Sequence, residues 1–461
     1  MIIMSTVVLK IGGGILRNKE SFLRVVDIVK NKQVNNEKQL IVISALYGVT
    51  DFLINSLNEC VLNQNIVEQK IIELKKMHFD YLDYISNPEV KQKASFELND
   101  KISILEKFLY GVSYLKEISP RSKDLVQSFG ERLSPVILEA FLLDAKLKAK
   151  FIDAEEAGIV CKGNFENAFI DFDKTSINLH AKVDKLLDST IILLPGYYGI
   201  DESGDVKTFG RGGTDYSSGF ISNIFDAKLE IWKDVSGFMT ADPKVVKNAK
   251  QIESLSYEEA EELGYLGAKI LHPKTIDPLR QKGLCAEVKN VFAPEIKGTI
   301  ICSNKKMHEL VVKSISSIKE IAVVSIESTS MVNVPGFASL VFSKLAQKNI
   351  SIDIIVTSEA SISFSLDPKQ VDLAIDSMQG IAEQYPCKIK VVTGLSVIAV
   401  VGEGLKQTSG VAGRLFNALG VNGLNVELIS QGASEINITF AVNKNDLEKA
   451  VNIVHDEFIK A

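Results

Sequence analysis

Through roughly the first two thirds of the chain, apolar residues follow two alternating rhythms. Short continuous runs rich in Val, Ile and Leu occur at Thr6–Ile11 (TVVLKI), Gln39–Ser44 (QLIVIS), Thr190–Pro195 (TIILLP) and Ala227–Asp234 (AKLEIWKD). Runs of this length and composition predict strands buried on both faces. Between them apolar positions recur at helical spacing, over Glu20–Lys30, Asp124–Ala145 and Ser256–Leu263. The last of these opens on a serine cap followed by acids in the first turn. Val67–Lys116 is polar, with Leu and Ile at helical spacing and few glycines, and predicts two or three helices forming a lid or side subdomain (67–118). Pro135 falls inside the Asp124–Ala145 run and predicts a disturbed or kinked helix. Strands alternating with helices predict an α/β domain with a mostly parallel sheet over residues 1–304.

From about Lys305 the rhythm changes. Strand patterns at Ile321–Ile326, Ser351–Val356, Ser361–Leu366 and Lys388–Val392 alternate with helix patterns at Gly336–Gln347 and Pro368–Gln384, in the order βαββαβ. The order then recurs, with strands at Val397–Val401, Asn425–Ser430 and Ile436–Val442 and helices at Gly410–Leu419 and Asn445–Ile459. Gly336 aligns with Gly410, Phe342 with Phe416, Leu345 with Leu419 and Asp353 with Glu427 at one constant shift, which marks an internal duplication. The second copy lacks its last strand. Leu310–Ser316 (LVVKSIS) is expected to supply it, making the first unit (318–394) an insertion within the second (395–461).

Composition narrows the classes. Apolar residues are 46% and charged residues 24% of 461, as in ordinary globular proteins, and two to three domains are expected. A net charge of −6 without a basic face offers no nucleic-acid footprint. Lys10 interrupts the apolar N-terminal run and no small-residue cleavage site follows, so neither a signal peptide nor a membrane span is expected. The five cysteines are scattered and none forms a CxxC pair, which predicts reduced, mostly buried thiols in a cytoplasmic protein.

The candidate chemistry centres on Phe209–Gly219 (FGRGGTDYSSG). Gly210, Gly212 and Gly213 let backbone amides approach an anion, and a helix expected from Tyr216 adds its positive dipole end. Arg211 offers a planar fork for a carboxylate or phosphate, and Asp215 an acceptor or base. The plainer alternative is a glycine turn with Arg211 and Asp215 paired at its surface. At the other end, Lys10 precedes Gly12-Gly13-Gly14 in a strand–turn–helix layout with neither Walker nor GxGxxG spacing. Its ammonium either reaches phosphate oxygens or is a solvated surface charge. Ser44 and Thr50 follow a strand and are candidate hydroxyl donors or helix caps. Glu131 faces a ligand's ammonium or solvent. The loop VSGFMTADPK could hold a nucleotide base or be a turn cluster, and His272, before Pro273, reads as structural.

Taken together, GRGGTDYSSG, WKDVSGFMTADPKVV, GAKILHPKT, QSFGERLSP and VPGFASLVFSKLAQKNISIDIIVTSE resemble the aspartate kinases over essentially the whole chain. The resemblance implies an amino acid kinase-like αβα sandwich with a mostly parallel sheet, followed by two ferredoxin-like α+β ACT units. It further implies ATP-dependent phosphorylation of the β-carboxylate of L-aspartate to 4-phospho-L-aspartate, opening the route to lysine, threonine and methionine. In the implied roles Lys10 stabilises the transferring phosphoryl group, Gly12 and Gly13 present amides to it, and Asp215 organises the reacting carboxylate. Arg211 takes the aspartate α-carboxylate and Glu131 its ammonium, with Ser44, Thr50 and Thr214 adding hydrogen bonds. Lys233, Asp234, Met239, Lys244 and Lys269 line the ATP site, and magnesium is held by ATP rather than by a protein cage. The chain departs from the family's KFGGTS at its first turn, where it reads Lys10-Ile11-Gly12-Gly13-Gly14-Ile15, and at Lys233, Met239 and Lys244, where relatives tend to have threonine, tyrosine and arginine.

The ACT pair implies feedback inhibition. Met331, Gly336, Ser351, Asp353, Thr357, Ser358 and Glu359 resemble the effector site of lysine-sensitive members, with Val334 in place of a frequent serine. Asp353 suits a lysine ε-ammonium, so lysine is expected over threonine, and a homodimer through the ACT units is expected. Two alternatives remain at this stage: a related amino acid kinase with another substrate, and a catalytically weak amino-acid sensor.

Overall fold

The computed structural model describes residues 5–266, 270–303, 310–329, 335–432 and 436–459. It divides into two compact units. The first holds 5–238, Glu253–Tyr257 and 270–303; the second holds Met239–Ile252, 258–266 and the described residues from 310 onward.

The first unit is built on an eight-stranded sheet. In spatial order its strands are Ser254–Leu255, Thr299–Ile301, Ala286–Asn290, Lys228–Lys233, Thr6–Ile11, Lys38–Ile43, Ile191–Pro195 and Ala149–Phe151. All neighbours run parallel except Ala286–Asn290 against Thr299–Ile301. The expected strand runs therefore form the middle of the sheet. Val8, Leu9, Ile41, Val42, Leu193 and Ile231 are inaccessible to solvent, as burial on both faces requires. Val67–Leu82 and Pro88–Leu115 account for the polar helical stretch, and their apolar stripes join the same core cluster as Leu9 and Ile41.

Pro120–Asp144 forms one helix with Pro135 inside it. Proline there withdraws the N–H that the Glu131 carbonyl would accept. Residues 133–138 are all buried, and their packing keeps the helix continuous through the proline. No helix among the described residues is long and apolar enough to cross a membrane.

The cysteine expectation needs correction. Cys285 and Cys302 form a disulfide, with Cα atoms 4.7 Å apart, while Cys60, Cys161 and Cys387 are free. The register explains it. Ala286 lies opposite Ile301 in the antiparallel pair, so the residues just outside it face each other. No sequence spacing announces that pairing.

The second unit carries a six-stranded sheet, ordered Ile355–Ser358, Ser361–Leu366, Ser314–Glu327, Lys388–Val401, Asn437–Asn443 and Leu428–Ser430, antiparallel throughout. Ser314–Glu327 and Lys388–Val401 are single strands of 14 residues, where the sequence pattern suggested shorter pieces. The Ser314–Ile318 end pairs with Val397–Val401, and the Ile326–Glu327 end pairs with Lys388–Ile389. The strand expected at Leu310–Ser316 thus begins later, at Ser314, and runs on through both repeats. Ser351–Ile354, expected as strand, lies outside one, and the edge strand starts at Ile355. The duplication shows in the packing. Phe342 meets Phe364 edge-on at 6.4 Å, and at the equivalent place Phe416 meets Phe440 at 5.9 Å.

Two segments expected in the catalytic domain belong to this second unit. In Met239–Ile252, the Thr240 carbonyl accepts from the Ile315 N–H at 2.8 Å, and Ala241 and Val246 join its core. Farther along, Glu259 is fully buried and ion-pairs with Lys313 at 3.0 Å. A boundary drawn at residue 304 follows chain order. The packing follows which apolar and charged faces complement each other.

Candidate active site

The site forms where parallel strands end. Lys10 lies opposite Val42 on one neighbouring strand and Ile231 on the other, near the carboxyl ends where open α/β sheets bind ligands. It is 5% exposed. The chain then turns through Gly12 into the short 3-10 turn Gly13–Ile15. A Cβ on Gly13 would lie 2.7 Å from the Ala45 carbonyl oxygen, so two strand-end loops touch there through bare backbone. Gly13→Ala is expected to cost about 1–3 kcal/mol of unfolding free energy by overpacking. Chemical denaturation would test this, and an unchanged midpoint would mean the loop yields freely.

The loop after Lys38–Ile43 brings in Ser44 and leads into the helix Val49–Leu62. Gly48, with φ +79°, is that helix's N-cap. Thr50 is therefore not the cap and keeps its hydroxyl for the cleft. The Ser134 hydroxyl donates to the Ser44 carbonyl at 2.7 Å and ties this loop to the Pro120–Asp144 helix.

The glycine stretch organises the opposite wall. Gly212, with φ +77°, caps a helix that runs from Gly213 to Ile224, three residues earlier than the sequence pattern suggested. Thr214 and Asp215 consequently sit in its first turn, where the helix dipole favours an anion. His272, read from the sequence as structural, packs against this turn. A Cβ on Gly212 would lie 2.2 Å from its ring carbon Cγ. Only a missing Cβ allows both that contact and the positive φ, a constraint that the sequence could not reveal.

A cleft of about 370 Å³ results, lined by Lys10, Gly13, Ser44, Thr50, Glu131, Thr214 and Asp215, with Tyr47 and Tyr197 at its sides. Residues spread over more than two hundred positions of chain are thereby brought together. The Lys10 ammonium lies 2.5 Å from Asp215 Oδ1, and both side chains are nearly buried. Burial alone would raise the Asp215 carboxyl. The nearby cations, Lys10 foremost and then Lys233, outweigh it and hold the group below its usual range. The surface pairing of Asp215 with Arg211 is thereby replaced. Arg211 is exposed and its guanidinium has no ion-pair partner among the described residues.

Glu131 is 4% exposed in the middle of its helix. Its carboxylate accepts from the Thr214 hydroxyl at 2.5 Å and from the Gly196 N–H at 2.6 Å. Burial pushes its carboxyl up to about 7, against the opposing pull of those two donors and of Lys10. A ligand cation placed there would restore its charge.

Of the residues expected at a nucleotide, Gly12 lies beside Lys10, within 3.4 Å of Nζ for an added Cβ. Lys233 closes the Lys228–Lys233 strand and is half-buried. Its ammonium is held below its usual range by burial, opposed by Asp215 and reinforced by Lys10. Asp234 is exposed, 3.9 Å from Arg17. Met239 and Lys244 belong to the second unit: the Met239 carbonyl accepts from the Ser314 hydroxyl at 2.8 Å, and the Lys244 N–H donates to Asp242 at 2.9 Å. Lys269 lies outside the described residues.

The expected effector residues fall within the second unit. Gly336, with φ +89°, caps the helix Phe337–Gln347. Ser351 and Asp353 follow that helix, Thr357 and Ser358 lie on the edge strand, and Glu359 is exposed in the turn after it. Asp353 is exposed, and its carboxyl is raised by desolvation from its surroundings and by the like charge of Asp367. Met331 and Val334 lie outside the described residues.

Residues 5–290 match the amino acid kinase family, and 324–379 with 398–458 match the ACT domain. The chain is 32% identical to the chloroplastic aspartokinase 1 of Arabidopsis thaliana, over 99% of its own length and 80% of that protein. Among solved structures it superposes on E. coli aspartokinase III in complex with lysine and aspartate (T-state) with a TM-score of 0.84, at 27% identity, covering 98% of this chain and 99% of that one. The same enzyme in complex with aspartate and ADP (R-state) gives 0.82 at the same identity and coverage. A cleft that sets a buried lysine–aspartate pair beside a glutamate poised for a cation, followed by duplicated ACT units, agrees with these likenesses, and the chain belongs to the aspartokinases, ATP-using kinases of aspartate within the amino acid kinase family.

Proposed function

We propose that this cleft is where the terminal phosphoryl group of ATP passes to the β-carboxylate of L-aspartate, and that lysine, bound at the first ACT unit, restrains the reaction. The observation that carries the first part is the Lys10–Asp215 pair at 2.5 Å inside a cleft that also holds Glu131. Aspartate has two carboxylates and one ammonium, and the residues match that charge pattern. Glu131 receives the ammonium, while Arg211, without an ion-pair partner among the described residues, receives the α-carboxylate. Ser44, Thr50 and Thr214 add hydrogen bonds, and Asp215 orients the reacting end. Lys10 and the amides of Gly12 and Gly13 meet the phosphoryl oxygens. Lys233 and Asp234, at and just after the end of the Lys228–Lys233 strand, are the residues we assign to the nucleotide. Phosphoryl transfer asks for positioning and charge neutralisation more than covalent help, and this set supplies both.

Magnesium fits as part of the substrate. The ion is carried on the nucleotide phosphates, where it adds positive charge.

Lysine is favoured as effector because Asp353 is an exposed carboxylate near the like charge of Asp367, which an ε-ammonium would relieve and threonine would not. E. coli aspartokinase III has been solved with lysine, which agrees with this choice. Subunits would associate through the ACT sheet, whose outermost strands Ile355–Ser358 and Leu428–Ser430 leave Ile355 and Ile429 exposed. The product would be 4-phospho-L-aspartate, at the head of the aspartate-derived amino acids, and a cytoplasmic setting suits it.

The test is ATP turnover with L-aspartate, the acyl phosphate being trapped as its hydroxamate, with lysine or threonine added. We expect turnover that lysine suppresses at least tenfold. Suppression by threonine alone would overturn the role given to Asp353. Absence of hydroxamate from folded protein would overturn the assignment of this cleft.

A further inference from the structure

Of the two lysines at these neighbouring strand ends, Lys233 is the one without a close partner among the described residues. Lys10 is bound to Asp215 at 2.5 Å, and Asp234, the neighbour of Lys233, faces Arg17 at 3.9 Å. The Lys233 ammonium makes no hydrogen bond or ion pair among the described residues, although its stem is half-buried at the end of a central strand. A partly desolvated ammonium with no carboxylate in contact is costly to hold, and an arriving anion would relieve that cost. The strand register gives the direction of that anion. Ile11 lies opposite Trp232, so Lys233 follows one position beyond, on the strand next to the one that carries Lys10 and at the same carboxyl end. A Cβ on Gly12 would lie 3.4 Å from Lys10 Nζ and 3.6 Å from the Trp232 carbonyl, so the glycine turn runs beside the backbone that leads into Lys233. Charge adds to this picture. Lys10 and Lys233 both lie near the single buried carboxylate Asp215, and Asp234, next to Lys233, is turned to Arg17 at 3.9 Å.

We infer that Lys233 is a second cationic contact to the transferring phosphoryl group, acting beside Lys10 and not merely lining the nucleotide site. The inference rests on the placement of phosphoryl transfer at Lys10 and Asp215. In this division Lys10 is shared between Asp215 and the phosphate, whereas Lys233 gives its whole charge to the phosphate. The chain lacks the threonine and serine hydroxyls that the family usually carries after Gly13, and an added ammonium supplies positive charge at the same end of the sheet.

The experiment compares Lys233→Met, Lys233→Arg and Lys10→Met in the full chain, measuring hydroxamate formation, KM for aspartate and for ATP, and thermal unfolding. For Lys233→Met we expect kcat to fall about 10²-fold, as when one preorganised charge contact is removed, with KM for aspartate changed less than threefold. Unfolding should be unshifted or move to higher temperature, because an unpaired buried charge has been removed. Lys233→Arg should recover a tenth or more of the wild-type kcat. A fall in unfolding temperature that accounts for the lost activity would overturn the inference by making Lys233 structural. So would a kcat within threefold of wild type in Lys233→Met while Lys10→Met is inactive. If Lys10→Met also keeps full activity, the placement of transfer at this cleft fails instead.

Discussion

Replacing Lys10 with methionine is expected to lower kcat by about 10³-fold, the upper end for loss of one preorganised charge contact. The group is placed for this effect because it is nearly buried, bound to Asp215, and beside the backbone of Gly12. The substitution also leaves Asp215 as a buried carboxylate without its closest cation. Breaking a buried pair from one side costs about 3–5 kcal/mol, so the unfolding temperature should fall as well. Activity loss alone would then be ambiguous. The double variant Lys10→Met with Asp215→Asn removes both charges and should regain most of the unfolding temperature while staying inactive. If the double variant recovers activity with stability, Lys10 serves the fold and not the reaction. If Lys10→Met keeps more than a tenth of the wild-type kcat at saturating substrates, the phosphoryl contact lies elsewhere.

The second large effect is at Glu131. Glu131→Gln keeps the shape but cannot carry the charge that an ammonium requires, and loss of one partner of a buried charged contact costs about 2–5 kcal/mol of binding. KM for aspartate is therefore expected to rise by about 30-fold or more, with KM for ATP changed little. pH offers an independent check. Burial pushes the Glu131 carboxyl up to about 7 from an ordinary 4.5. In the free protein near pH 6 the group is mostly protonated, and aspartate binding must expel that proton. KM for aspartate should then decrease from pH 6 to pH 8 in the wild type and stay level in Glu131→Gln. Stability moves the opposite way. A carboxyl with a raised folded-state value contributes stability that is present below about pH 4.5 and lost as pH rises through about 7. Wild type should therefore lose stability relative to Glu131→Gln between pH 5 and pH 8, by up to about 3 kcal/mol. A KM that does not change with pH, together with a constant stability difference, would show that Glu131 neither titrates in this range nor meets the ammonium.

These effects depend on contacts that sequence order does not display. The strands around Lys10 were legible because burial on both faces demands unbroken runs such as TVVLKI and QLIVIS. The regulatory repeat was legible because one packing solution, with Phe342 on Phe364 and Phe416 on Phe440, was used twice. The glycine stretch was legible as a turn because bare backbone takes the positive φ found at Gly210 and Gly212. The roles at Lys10, Arg211, Glu131 and Asp215 were suggested by resemblance to a family, since each residue alone also had a plain alternative.

What the sequence by itself determined, then, was local. It set the order and type of most elements, the duplication, and the pool of residues able to meet an anionic amino acid and a phosphate. Periodicity and residue chemistry act over a few neighbours and can be read there. Tertiary structure decided who meets whom. It turned Asp215 toward Lys10 instead of Arg211, joined Glu131 to Gly196 and Thr214, and seated His272 against the bare face of Gly212. It also kept the helix through Pro135 and joined Cys285 to Cys302 across a strand pair. Finally, it drew Met239–Ile252 into the second unit. Each of these depends on distances between parts far apart in the chain, set by strand register and by which faces pack most completely. Those are sums over the whole fold, and no window of the sequence contains them.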